Sequence, residues 1–402
     1  MSLLLSHFFQ TLTEMAYSQI RVRILPSVRC FFDKLVHVKV EGLAPHKPVE
    51  LRSKLVDDRG VIFKASALYK ADESGQVDVS RAPSLGGSYT GVEPMGLFWS
   101  LAPETPHSKI LKKSVLSPTQ VKIEALSGDT GELLASETNE REYMTEGMKR
   151  IPVQEGRIRG VLFIPPGKGP FPGIVDLYTF GGGLSEPRAS LLANKGFVVL
   201  ALAYLGYKDL PRKVEKLNLE YFEEAVTYLR RQPEVKGPGI GIISISHSGG
   251  IALAMLVIPP LCPVLDNIKF LDSGILDVRD ALPDPSLEEN RESLFMVERA
   301  SCQFLFAVSE DDHNWNSGFF AKQAVETLRK HGKKSYELVT YPKAGHFLEV
   351  PHMPYCGSTF HGAVGAPVVF GGEPKAHSEA QLDLWERVQE FFKSHLVNKS
   401  TC

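Results

Sequence analysis

Residues 239–255 read Gly-Ile-Gly-Ile-Ile-Ser-Ile-Ser-His-Ser-Gly-Gly-Ile-Ala-Leu-Ala-Met. An apolar run of β type drives into a turn of small residues, and an apolar helical run follows at once. Few folds accept this arrangement. The strand must be covered on both faces, and the helix must fold back onto it, as in a sheet with helices on both sides. Of the serines at the corner, Ser246 is the one between the last isoleucine of the strand and the first helical residue. A sharp strand-to-helix turn lifts such a hydroxyl above the sheet end. It also aims helix N-terminal N–H groups at whatever the hydroxyl attacks. The segment implies a serine nucleophile.

The surrounding sequence supports that sheet. From about residue 150 onwards, buried strand patterns at 159–164, 173–177, 197–202, 304–308 and 336–341 alternate with helical patterns at 188–194, 214–231, 319–331 and 381–396. This alternation predicts a mostly parallel, doubly wound α/β sheet. Before it, residues 18–140 carry short alternating runs such as Ile20–Ile24 and Val36–Val40. Turn signals such as Asp57-Asp58-Arg59-Gly60 and Gly128-Asp129-Thr130-Gly131 separate them. That texture predicts a β-sandwich with a structural or lid-positioning role and no catalytic cluster. The expected division is an N-terminal extension over 1–17, a sandwich over 18–145 and an α/β-hydrolase domain over 146–402.

A serine hydroxyl needs a base, and the base needs an acid to fix its tautomer. In such a sheet these groups lie just past the carboxyl ends of strands. Asp312 follows the strand at 304–308, and His346 follows the strand at 336–341. Asp311 is the rival acid, and strand-end placement favours Asp312. The order Ser246, Asp312, His346 is that of an α/β-hydrolase. The oxyanion needs two N–H donors. One is expected at His247 and the other at Thr179, in the turn Tyr178 to Gly183. Ser244 and Ser248 stand where an elbow usually has glycine, which predicts backbone strain and leaves the register among the three serines to be tested.

Other features exclude alternatives. Charged residues make up 23% of the chain and the net charge is −2, so no nucleic-acid or membrane-surface partner is implied. The five cysteines form no CxxC pair, which fits free thiols and excludes a disulfide framework or zinc site. No phosphate-loop Gly-Lys-Ser/Thr follows Gly181-Gly182-Gly183. The chemistry needs no metal and no organic cofactor. The short apolar stretch at residues 3–9 is a poor signal peptide, and Lys399-Ser400-Thr401-Cys402 is not a peroxisomal address. The expected location is cytoplasmic, with the mitochondrial matrix as the alternative. No pattern in the chain points to a particular oligomeric state.

From about residue 20 the chain resembles the type I acyl-CoA thioesterases and the related bile acid-CoA:amino acid N-acyltransferase. The likeness rests on Arg81-Ala82-Pro83-Ser84-Leu85-Gly86-Gly87-Ser88-Tyr89, Glu93-Pro94-Met95-Gly96-Leu97, Asp311-Asp312-His313-Asn314-Trp315, Ala344-Gly345-His346 and Gly371-Gly372-Glu373-Pro374-Lys375-Ala376-His377. It implies a β-sandwich followed by an α/β-hydrolase domain, an acyl-CoA substrate, and Ser246, Asp312 and His346 as nucleophile, acid and base. The transferase branch uses cysteine and passes the acyl group to an amino acid. The thioesterase branch uses serine and passes it to water. With no cysteine at the elbow, the resemblance implies hydrolysis, with amino acid conjugation or weak activity as the alternatives.

Overall fold

A computed structural model describes residues 19–178, 182–212, 218–254, 268–281, 284, 287–288, 296–361 and 364–397. The first part is all β. Strands β1 (Arg21–Leu25), β2 (Arg29–Phe31), β3 (His37–Glu41), β4 (Pro48–Val56), β5 (Ile62–Lys70), β6 (Val77–Asp78), β7 (Gly86–Gly87), β8 (Ala102–Pro103), β9 (Thr119–Ser127) and β10 (Leu133–Glu142) form two sheets. One has the order β1-β3-β6. The other has the order β2-β10-β9-β4-β5-β7, with β8 also on β5. Period-2 burial explains the packing: Val49, Leu51 and Leu55 of β4 and Phe63, Ala65, Ala67 and Tyr69 of β5 point inward. The short helix α1 (Gly96–Trp99) seals the interior with Leu97, Phe98 and Trp99.

The second part is built on β11 (Lys149–Glu155), β12 (Ile158–Ile164), β13 (Phe171–Leu177), β14 (Val198–Ala203) and β15 (Val235–Ser244), in the order β11-β12-β14-β13-β15. β14, β13 and β15 are parallel, while β11 and β12 run antiparallel to their neighbours. Alternation sends Val161, Phe163, Ile174, Val199 and Ala201 to one face. There they meet α2 (Pro187–Ala193) and α6 (Pro374–Leu396). Leu162, Val175, Leu177, Leu200 and Leu202 go to the other face, against α3 (Leu219–Arg230) and Ile251 of α4 (His247–Ala254). Asn218 starts α3 by accepting the Glu220 N–H at 3.0 Å.

β18 (Phe304–Ser309) and β19 (Tyr336–Tyr341) pair in parallel, with α5 (Ser317–Lys330) packed on them. Among the described residues they pair as strands only with each other, so the sheet expected from the sequence is divided there. Ala307, Glu337, Leu338 and Thr340 stay exposed, so both faces of this pair keep solvent contact. Helix α6 bridges the division by packing against β13 and β15 and against β18 and β19. A small sheet, β16 (Lys269–Phe270), β17 (Leu276–Asp277), β21 (Ala366–Val369) and β20 (Ser358–His361), lies in that order beside the strand ends.

The sandwich and the five-stranded sheet share an apolar interior. One cluster runs from Val38, Leu51 and Phe98 to Phe163, Val199, Trp385 and Phe392. Trp385 Nε1 donates to Asp33 at 3.0 Å across the junction, and Lys195 pairs with the same carboxylate.

Candidate active site

The central strands bring the expected residues to one edge. β13 and β15 are parallel neighbours with Leu177 opposite Ser244, so Tyr178 and the serine corner leave the sheet side by side. Past β15, Ser246 adopts φ +63° and α4 begins at His247. A left-handed conformation at a residue with a side chain costs on the order of 1–3 kcal/mol and persists only where its surroundings enforce it. Here the enforcement comes from Ser248. Its buried hydroxyl accepts the Ile245 N–H at 2.9 Å and lies 2.9 Å from the Leu177 carbonyl and 2.8 Å from the Ile245 carbonyl. The strain expected at Ser244 and Ser248, in place of glycine, does not appear as a left-handed backbone at either; of the three serines only Ser246 has a positive φ, and Ser248 makes bonds a glycine cannot make. Sequence reasoning missed this, although a hydroxyl at a strand–helix corner is the signal for it.

Of the three serines, Ser246 faces the imidazole. Its Oγ lies 2.8 Å from His346 Nε2. His346 Nδ1 lies 2.9 and 3.0 Å from the two carboxylate oxygens of Asp312. Asp312 is buried, and its Oδ1 accepts the N–H groups of Asn314 and Trp315 at 2.9 Å each. The carboxylate can only accept, so the Nδ1 proton points at it. That leaves the Nε2 lone pair for the serine hydroxyl. Asp311, the rival, faces elsewhere: it accepts the Gly372 N–H at 2.8 Å and meets His313 Nε2 at 3.2 Å. His313 also meets Asp277 on β17 at 2.7 Å. Burial opposes its charge, but the two carboxylates outweigh that and raise its pKa.

The base is held from several sides. Its ring stacks on Phe370 at 5.2 Å and meets Phe347 edge-on at 5.1 Å. On α6, His377 spans the segment that carries it. His377 Nδ1 accepts the Gly345 N–H at 3.0 Å, and Nε2 donates to the Phe347 carbonyl at 2.8 Å. Burial pushes the His377 pKa down to about 4, so the neutral ring this pair of bonds requires is the stable form.

The His247 N–H opens α4 and has no intrahelical partner, as the first N–H of any helix does not. Thr179, the second expected donor, lies outside the described residues, as do Phe180 and Gly181. Tyr178, just before them, is strongly held. Tyr204 donates to its carbonyl at 2.8 Å, and its hydroxyl contacts both Glu349 and Lys109. Lys109 comes from the sandwich, so the first domain, expected to have a structural or lid-positioning role and no catalytic cluster, reaches this centre through one side chain. Nothing in the local sequence at Lys109 signals the contact, because its partners are 69 and 240 residues away.

A serine at a strand–helix corner beside parallel strands, with an aspartate and a histidine beyond the two strands of a second parallel pair, defines the class: an α/β-hydrolase preceded by a β-sandwich. The chain matches the family models for the acyl-CoA thioester hydrolase/BAAT N-terminal region over residues 33–155 and for the BAAT/acyl-CoA thioester hydrolase C-terminal region over residues 217–258 and 256–398. It is 47% identical to acyl-coenzyme A thioesterase 1 of Rattus norvegicus, over 93% of this chain and 96% of that protein. It is 45% identical to mitochondrial acyl-coenzyme A thioesterase 2 of the same species, over 96% and 92%. It is also 45% identical to acyl-coenzyme A thioesterase 1 of Homo sapiens, over 92% and 96%. The chain belongs to the acyl-CoA thioester hydrolase/BAAT family.

Proposed function

We infer that this protein hydrolyses fatty acyl-CoA thioesters to free fatty acid and coenzyme A through an acyl group on Ser246. The observation that carries the reading is the 2.8 Å approach of the Ser246 hydroxyl to an imidazole backed by a buried carboxylate. In the proposed cycle His346 Nε2 takes the hydroxyl proton as Oγ bonds to the thioester carbonyl carbon. The resulting oxyanion is held by the His247 N–H and, as expected from sequence, by Thr179. The C–S bond breaks, the electron pair leaves with the sulfur, and His346 passes its Nε2 proton to the departing thiolate or to solvent, which frees the nitrogen again. A thiolate is a good leaving group, so it needs little acid help. Water then gives a proton to His346 and its oxygen to the acyl carbon. The acid departs, and Oγ recovers its proton.

Serine at the elbow favours water as the acceptor, because an oxoester is a poorer acyl donor to amines than a thioester. Conjugation to taurine or glycine is the alternative, and product analysis with either present separates the two. We expect free acid, and conjugate would replace the hydrolase reading. The main test is thiol release across an acyl-CoA panel. Ser246→Ala should abolish it, while Ser248→Ala should keep activity within about tenfold of the parent, since its hydroxyl supports the corner without facing the imidazole. The opposite pattern would move the nucleophile. For location we propose the cytoplasm. No helix among the described residues is long and apolar enough to cross a membrane. Imaging of the chain tagged at its C-terminus, begun at Met1 or at Met15, tests this. Matrix signal from the longer form alone would move the assignment to mitochondria.

A further inference from the structure

The loop between β8 and β9 belongs to the sandwich by its backbone and to the hydrolase sheet by its side chains. The Lys109 carbonyl accepts the Arg59 guanidinium, and the Leu111 N–H donates to Asp57 at 3.1 Å. On the other side, His107 Nδ1 lies 2.9 Å from Ser358 Oγ, and its carbonyl accepts Thr359 and Phe360. Between these anchors the Lys109 ammonium reaches inward. It donates to the Tyr178 hydroxyl at 2.6 Å and pairs with Glu349 at 2.9 Å.

We propose that Lys109 is a positioning residue of the active site, so that the sandwich domain completes the hydrolase centre. The inference rests on the reading of Ser246, His346 and Asp312 given above. Its two partners flank the chemistry. Tyr178 directly follows β13 and opens the expected oxyanion turn. Glu349 lies three residues past the base, on the same segment. The ammonium also sits 4.8 Å over the ring of Phe347, which meets His346 edge-on. One cation therefore ties the acid-base segment to the oxyanion side at a fixed separation. A half-buried ion pair of this kind adds little net stability over an apolar contact. What it does add is direction, through several donors on one nitrogen.

The test compares Lys109→Met, Lys109→Met/Glu349→Gln and Lys109→Arg with the parent. Three readouts are needed: kcat and KM for thiol release, the labelling rate of Ser246 by a fluorophosphonate, and the thermal midpoint. Lys109→Met and the double variant should each lower kcat and labelling by about 10- to 100-fold while KM stays within about threefold. Lys109→Arg should recover part of both rates. Variants that lose only thermal stability, with kcat and labelling of the folded protein unchanged, would reduce Lys109 to a structural contact and overturn the proposal. Full rates in the double variant would do the same. A parent that labels but releases no thiol refutes the substrate reading, and the labelling rates then decide the role of Lys109. A parent that does not label at all removes both.

Discussion

At the scale of single residues, the candidate site divides into the proposed reacting groups and the groups that fix them. That Ser246, His346 and Asp312 would meet was legible from sequence because each follows a strand, and the chain's local direction decides where such a residue points. Ser248 and His377 were not legible as supports. Their value lies in which carbonyls and N–H groups come near them, and sequence neighbours do not determine that. His377 makes a specific prediction. Its ring bonds the backbone on both sides of His346, so His377→Leu should lower kcat by about 10- to 100-fold with little change in KM. His377→Gln should recover part of the loss, because an amide can accept from Gly345 and donate to Phe347 as the neutral imidazole does. Steady-state kinetics on the two variants, with a pH–rate profile, checks this. Equal kinetics for both would show that the ring only fills space.

At the scale of elements, strand ends set the geometry and close backbone crossings keep it. The segment after β19 must pass directly against the backbone before α6. Gly345 and Gly372 make that crossing possible: a methyl on Gly345 would overlap the carbonyl of Gly371, and one on Gly372 would overlap the backbone of Gly345. Gly345→Ala should therefore displace His346 and lower activity by at least about tenfold, while the sheets remain intact. Circular dichroism beside a thiol-release assay tests it, and parental activity would show that the crossing yields easily. The sequence also predicted the helices well where their apolar stripe was clear. α6 begins earlier than its stripe suggested, at Pro374, because proline at the first helical position starts a helix without needing an N–H partner. The division of the sheet after β15 was not legible, since strand pairing depends on partners far along the chain.

At the scale of the whole molecule, the two parts share one apolar interior, which a reading of separate textures could not reveal. A shared core predicts cooperative loss of both parts. Thermal unfolding followed by tryptophan fluorescence and by far-ultraviolet circular dichroism should give one coincident transition, and two separated transitions would contradict the continuity of the core. Acid should weaken this unit. His352 is buried with neither ring nitrogen hydrogen-bonded, and burial, helped by Arg141, pushes its pKa down from 6.5 to about 3. Below 6.5 the unfolded chain binds a proton that the folded chain refuses. Stability therefore falls as pH drops from there toward about 3, by up to about 1.4 kcal/mol per pH unit from this group. Urea midpoints for the parent and for His352→Met at about pH 7.5 and about pH 5 should show a smaller drop in the variant.

The reach of Lys109 also bears on how the chain is made. Its ammonium leaves the ribosome 240 residues ahead of the Glu349 carboxylate. The sandwich strands can pair as soon as they emerge, yet this cation lacks its carboxylate until residue 349 has been translated. A nascent chain interrupted before that point would carry a finished first sheet whose inward lysine still waits for Glu349, so the proposed centre assembles only after both parts have been made.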